Sequence, residues 1–164
     1  MILIGLGGNL PSAVGAPDAT VAAAIDALIG AGLRVEARSR NYRSAPVPIS
    51  DQPWYTNAVV AVATELPPRE LLALLHRVEA RFGRERRQVN GARPLDLDLL
   101  AYGERVQAGG GVGEPDLPHP RLHQRAFVLL PLAEVAPGWR HPITGDTVEH
   151  LIAALPPDQT AEPI

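Results

Sequence analysis

The chain has 164 residues, of which 46% are hydrophobic and 20% charged, and its formal net charge is −3; that is enough to bury a core as one domain, too apolar for disorder, and not basic enough to seek nucleic acid or an anionic membrane. It has no cysteine, which excludes disulfides, thiolate metal sites and a cysteine nucleophile. All 15 basic residues are arginine, so Schiff-base chemistry and a P-loop lysine are excluded and any phosphate must be held by arginine forks and metal ions. No apolar run approaches the roughly 20 residues that span a bilayer, and no charged region precedes the apolar start at Met1, so neither a membrane segment nor a signal peptide is expected and the cytoplasm is the expected location.

The chain opens with Ile2-Leu3-Ile4-Gly5-Leu6, a short buried strand by pattern, and runs into Gly7-Gly8-Asn9-Leu10-Pro11. The glycine pair, Asn and Pro read as a turn that brings backbone close to something, although a plain strand-to-helix connection is the favoured account of the glycines. From about Asp18 to Ile29, apolar residues recur at helical spacing, with Gly30 and Gly32 as stop signals. Leu33, Val35 and Ala37 alternate with Arg34, Glu36 and Arg38, which predicts one half-buried strand continuing towards Tyr42. Residues 43–55 carry three prolines and the adjacent aromatics Trp54 and Tyr55, the composition of a packed, functional surface loop. The Ala/Val run from Asn57 to Thr64 reads as a central strand, ended by Pro67-Pro68.

Leu71, Leu74, Leu75, Val78 and Phe82 then fall on one helical stripe, with Gly83 at its stop; His76 and Glu79 lie three apart beside it. The loop 84–93 holds four arginines and delivers the chain into Pro94-Leu95-Asp96-Leu97-Asp98-Leu99-Leu100. In a strand, Leu95, Leu97 and Leu99 share one face and Asp96 and Asp98 the other. The two aspartates would stand about 6.5 Å apart along the strand, near enough to lean onto two Mg²⁺ ions roughly 3.5–4 Å apart. An edge strand with a solvated acidic face would carry the same alternation, but arginines immediately before the carboxylates are what a polyphosphate site needs. Of Arg84, Arg86 and Arg87, the last is expected in solvent.

The elements to residue 101 read strand, helix, strand, strand, helix, strand, a ferredoxin-like βαββαβ order with both helices on one face of an antiparallel sheet. The first and last strands are expected as neighbours at its centre, bringing Gly5 beside the acidic pair. Beyond it come a turn into a short strand at 102–106, a glycine-rich loop at 109–113, a stiff Pro118-His119-Pro120-Arg121 segment, a helix over 122–135, a short helix over 148–155 and a frayed tail after Pro156. The resulting fold class is α+β, in one domain over residues 1–164.

Several fragments, in order, carry a resemblance: Gly7-Gly8-Asn9, Tyr42-Arg43-Ser44, Asp51-Gln52-Pro53 with Tyr55 and Asn57, Glu79 with Gly83-Arg84 and Arg86, Arg93-Pro94-Leu95-Asp96-Leu97-Asp98, and Pro118-His119 with Arg125 and Phe127. Together they resemble the 6-hydroxymethyl-7,8-dihydropterin pyrophosphokinases of folate biosynthesis, over about residues 2 to 155. The resemblance implies transfer of the terminal diphosphate of ATP to the pterin hydroxymethyl group. By position, it implies that Asp96 and Asp98 hold two Mg²⁺ ions and that Arg84 and Arg93 clamp the transferring group. Arg86, His119 and Arg125 would meet the nucleotide phosphates, with His76 and Glu79 also on the nucleotide. Ser44, Val47, Tyr55, Asn57 and Phe127 would form the pterin pocket, Asn57 bonding the ring edge and Phe127 stacking. The chain departs from the family pattern at Asn90-Gly91-Ala92, where a tryptophan is customary in a loop one residue longer, and at Pro120, where an aromatic residue is common after the histidine. The loops 43–55 and 83–93 flank the site and are expected to close over the substrates. Two rival readings are a non-catalytic ferredoxin-like binding module and a two-metal phosphodiesterase acting on nucleic acid. The first has no use for arginines around paired carboxylates, and the second wants a broad basic track.

Overall fold

The computed structural model describes residues 1–46, 48–83 and 92–164. Its sheet consists of β1 (Ile2–Gly8), β2 (Arg34–Arg38), β3 (Tyr42–Ser44), β4 (Tyr55–Ala63), β5 (Asp96–Tyr102) and β6 (Ala161–Pro163). The order is β5-β1-β4-β3-β6, with β2 also pairing β4, and every pairing is antiparallel. The helices are α1 (Pro17–Gly30), α2 (Pro68–Arg81), α3 (Ala126–Val135) and α4 (Val148–Ala153), with a 3-10 turn at Leu122–Gln124. Among the described residues no helix is long and apolar enough to cross a membrane.

Both long N-terminal helices begin at a proline, Pro17 or Pro68, where a missing N–H costs nothing because the first turn has no carbonyl to receive it. Their apolar stripes cover one face of the sheet. Val21, Ile25 and Leu28 of α1 and Leu71, Leu75 and Val78 of α2 pack on Ile2, Ile4 and Leu6 of β1, Val60 and Val62 of β4, and Leu97 and Leu99 of β5. A second core lies on the opposite face, where Leu129 and Leu132 of α3 and Leu151 of α4 meet Leu3, Val59, Ala61 and Leu100. The βαββαβ core is therefore a sheet covered on both sides, with α1 and α2 together as expected.

The structure corrects four readings. The last strand of the core, β5, lies at the edge beside β1, and the centre is β1 and β4; β4 is the run of Ala and Val with seven consecutive buried residues, the pattern of a strand covered on both faces. The strand expected over 33–42 is two strands, and a bulge between Val35 and Ala37 turns Val35 to the first core and Ala37 to the second. The expected helix over 122–135 breaks at Arg125, which is extended (φ −120°, ψ 112°) between the 3-10 turn and α3. The tail after Pro156 ends in β6, which pairs β3. A further bulge, at Leu100, shifts the phase of β5: the pairing skips from Ile4↔Leu99 to Leu3↔Ala101, so Leu100 and its neighbour Ala101 both join the second core while Leu99 stays in the first.

Leu75 of α2 is fully buried at the centre of the first core. Leu75→Ala leaves a cavity there and is expected to cost about 2–5 kcal/mol, read as a lower urea midpoint with the slope unchanged.

Candidate functional site

The active face of the sheet is set by register. Gly5 pairs Asp98 on one side and Val59 on the other, and Gly7 pairs Asp96 and Asn57 in the same way. Residues directly opposite in an antiparallel sheet project to the same side, so two aspartates, two glycines and Asn57 share one face. Leu95, Leu97 and Leu99 take the other. Because the central strand carries no side chain at positions 5 and 7, a cleft of about 760 Å³, partly open to solvent, lies over it. Asp96 and Asp98 form one wall, Ser44, Ala45, Pro46 and Tyr55 the other, and Arg93, Arg125 and Phe127 close its ends.

The glycines are a requirement of this packing. A Cβ on Gly7 would lie 2.5 Å from Asn57 Oδ1, and one on Gly8 would lie 2.2 Å from the Pro94 carbonyl oxygen. The close approach anticipated at the glycine pair is real, but it occurs inside β1, which runs through Gly8. Asn57 is buried at the cleft floor and its Nδ2 donates to Ser44 Oγ at 2.6 Å. Tyr55 begins β4 opposite Ser44, on the same face as Asn57. Trp54 lies outside the lining, stacked under the Arg43 guanidinium at 4.8 Å.

Asn9 performs a role that composition alone could not reveal. Its Oδ1 accepts from Arg93 N at 2.9 Å, while its own N–H donates to Arg93 O at 3.0 Å. Its Nδ2 donates to both Gln52 Oε1 and Pro53 O at 3.1 Å. One side chain, 2% exposed, thus ties the end of β1 to the segment before β5 and to the loop before β4. The available signal was a short amide directly after a strand-ending glycine pair.

The cationic groups converge on the carboxylates. Arg93 Nη1 stands 3.4 Å from Asp96 Oδ2, with the guanidinium largely buried. Arg125 lines the cleft, stacks at 5.3 Å over the Phe127 ring and is drawn towards Asp98 by charge; burial lowers its affinity for its proton, Asp98 opposing. His119 is fixed along the free edge of β5 by its N–H to Leu100 O at 2.8 Å. Burial first, and the Arg125 charge second, push its pKa down to about 4, with Asp96 opposing. It is neutral at pH 7. Its Nδ1 accepts from Arg121 N at 3.1 Å, which leaves Nε2 as the protonated, donating nitrogen.

His76 and Glu79 do not join this group. Both lie on α2, which packs the opposite face of the sheet; His76 is exposed, and Glu79 is 1% exposed with its Oε2 accepting from Leu97 N at 2.7 Å. The carboxylate thereby satisfies an outward N–H of the edge strand midway between the two aspartates. Glu79 thus holds the backbone of the strand that carries both aspartates. Val47, Arg84, Arg86 and Arg87 lie outside the described residues, as does most of the loop 83–93.

Among the described residues no three His, Asp or Glu side chains cluster as a ready-made metal cage. Two carboxylates facing an open cleft instead suit Mg²⁺, a hard cation that takes one or two protein carboxylates and completes its shell with water and substrate phosphate.

The family model for 7,8-dihydro-6-hydroxymethylpterin-pyrophosphokinase matches residues 3–137. A 2-amino-4-hydroxy-6-hydroxymethyldihydropteridine pyrophosphokinase of Methylorubrum extorquens is 42% identical over 157 residues, covering 94% of this chain and 92% of that one. One from Synechocystis is 40% identical over 150 residues, covering 92% and 73%. Among solved structures, Plasmodium falciparum HPPK-DHPS with pteroate superposes with a TM-score of 0.66 at 13% identity; the match covers 93% of this chain and 41% of that one, a likeness of fold.

Two outcomes follow from this geometry. Asn9→Ala leaves the Arg93 N–H without its side-chain acceptor and is expected to cost about 1–3 kcal/mol, measured by urea unfolding. For His119 the sign follows from its lowered pKa: between pH 6.5 and about 4 the unfolded chain binds the proton and the native protein does not. The stabilisation is fully present above pH 6.5 and is lost as pH falls towards 4, on the order of 3 kcal/mol in all. NMR titration of the metal-free protein should place the His119 midpoint near 4, and His119→Gln should flatten the stability profile across that window.

Proposed function

The chain belongs to the 7,8-dihydro-6-hydroxymethylpterin-pyrophosphokinase family, and on that premise we propose that it transfers the terminal diphosphate of ATP to the hydroxymethyl group of 6-hydroxymethyl-7,8-dihydropterin, a step of folate biosynthesis. The observation that carries this reading is one cleft in which Asp96 and Asp98 face Asn57, Tyr55 and Phe127 across a glycine floor. One end suits polyphosphate and the other a flat, hydrogen-bonding heterocycle.

In the proposed reaction the pterin hydroxymethyl oxygen attacks the β-phosphorus of ATP. The bond from that phosphorus to the oxygen bridging to the α-phosphorus breaks, and AMP leaves with the bridging oxygen. Asn57, oriented by Ser44, is assigned to the ring edge of the pterin, with Phe127 against its face and Tyr55 and Val47 completing the pocket. Arg93 and Arg84 are assigned to the migrating diphosphate, and Arg125, Arg86 and the Nε2–H of neutral His119 to the nucleotide phosphates. Asp96 and Asp98 are assigned to two Mg²⁺ ions, which when bound neutralise phosphate oxygens and align them for in-line transfer. Charge moves among oxygens in such a step, so fixed guanidinium groups and good positioning do most to lower its barrier. Arg93 pairs with Asp96 at 3.4 Å; were a cation held on that carboxylate, the guanidinium would stand where it could meet the diphosphate.

The same reading assigns the enzyme to the cytoplasm as a single-domain monomer acting on small molecules, without nucleic acid or membrane. A non-catalytic binding module does not account for the convergence of Arg93 and Arg125 on the acidic pair.

Incubation with Mg-ATP and the reduced pterin should release AMP only when both substrates are present. Asp96→Ala and Asp98→Ala are each expected to lower kcat/KM about 100-fold or more with an unchanged circular dichroism spectrum. Near-normal turnover by either variant would overturn the metal assignment.

A further inference from the structure

The segment that the sequence pattern leaves as a frayed tail grips one wall of the cleft and the backbone that carries Arg125 at its end. On one side β6 pairs β3, with Ser44 opposite Ala161, and the Ala45 N–H donates to the Thr160 carbonyl at 3.2 Å. On the other, the Gln159 side chain reaches the start of α3: its Nε2 donates to the Gln124 carbonyl at 2.6 Å and its Oε1 accepts from Ala126 N at 2.8 Å. Those two groups belong to the peptide units immediately before and after Arg125. A primary amide offers one donor and one acceptor side by side, and here each meets its complement on the backbone flanking one residue.

That residue sits at the junction of two helical turns, its N–H bonded to the Leu122 carbonyl and its carbonyl to the Val128 and Leu129 N–H groups. Arg125 is extended between the 3-10 turn and α3, and no side chain of its own neighbourhood caps the first turn of α3; Gln159 supplies that cap from 33 residues away. From this position the Arg125 guanidinium lies over Phe127 and lines the cleft. We propose that Gln159 is a positioning residue of the enzyme: its amide clamps the peptides on both sides of Arg125 and so fixes where that guanidinium stands in the cleft, making the segment 159–164 part of the site. The proposal rests on the reading that Arg125 serves the transfer reaction.

The test is a double-mutant cycle. Gln159→Met keeps the length of the side chain and removes both hydrogen bonds. In the parent it should lower kcat/KM about tenfold while the thermal midpoint moves by no more than a few degrees. In an Arg125→Ala background the same change should alter kcat/KM less than twofold, because the group it positions is gone. An equal loss in both backgrounds would show a general structural effect and overturn the proposal, as would an unchanged kcat/KM for Gln159→Met alone. The single variant Arg125→Ala reports separately on the underlying reading. If it retains full activity, Arg125 has no part in the reaction and any loss from Gln159→Met runs by another route, which also overturns the proposal.

Discussion

The cleft exists because the central strand β1 is bare where it passes beneath it. A sheet face normally presents side chains at every second residue, standing perpendicular to the sheet. At Gly5 and Gly7 there are none, and the neighbouring strands fill the vacancy from either side: Asn57 leans in over Gly7 until its Oδ1 stands 2.5 Å from where a Cβ would be, while Asp96 and Asp98 border the trough from β5. Side chains at those two positions would close the floor and separate the acidic wall from Asn57. The glycines lose more conformational entropy on folding than any other residue, and that cost is accepted within a strand that both neighbours hold by seven and six paired positions.

Register then converts a simple alternation into chemistry. The leucines of β5 bury themselves against α1 and α2, which obliges Asp96 and Asp98 to face the other way. Shifting the pairing by one residue would send both aspartates into that core and leave the leucines in the cleft. The bulge at Leu100 comes two residues after Asp98 and does not disturb this phase. From behind, Glu79 accepts the Leu97 N–H, so the edge strand β5 is held between the two acids. A buried carboxylate is costly unless hydrogen-bonded; its position explains why an acidic residue beside an apolar stripe, read from sequence as a flank, lies inside.

How far the sequence was legible follows from the range of each interaction. Leu71 through Val78, the Ala/Val run of β4 and the Asp/Leu alternation of β5 announce themselves because their periods are local and match their burial. The shared lining of Ser44, Tyr55, Asn57, Asp96, Asp98, Arg125 and Phe127 was reachable through the resemblance. Val35 and Ala37 misled, since a bulged strand breaks the two-residue period that assigns faces. The backbone contact of Glu79 was not legible, because position relative to a stripe does not tell whether a partner waits there. Asn9 was visible only as a turn residue, for its partners at Gln52, Pro53 and Arg93 come from segments some 43 to 84 residues away. The break at Arg125 was hidden for the same reason: nothing local marks Arg125 as a helix boundary, and the amide that bonds the backbone on both sides of it is at residue 159.

These long-range ties give the site a common design. Asn9 joins β1 to the approaches of β4 and β5, and residues 159–164 join β3 to the start of α3. Each uses amide and backbone groups, which hold geometry by direction and distance and add no charge. In this they differ from the Glu79 carboxylate that braces β5 from behind, since every charge near a polyphosphate adds to the balance that Asp96, Asp98, Arg93 and Arg125 set. Arginine suits such a frame better than lysine would: its planar fork keeps its charge even when burial lowers its pKa, as at Arg125, and can meet two phosphate oxygens at once. A chain without lysine has thus placed its cations on groups whose direction can be fixed, and has kept uncharged side chains for the work of fixing them.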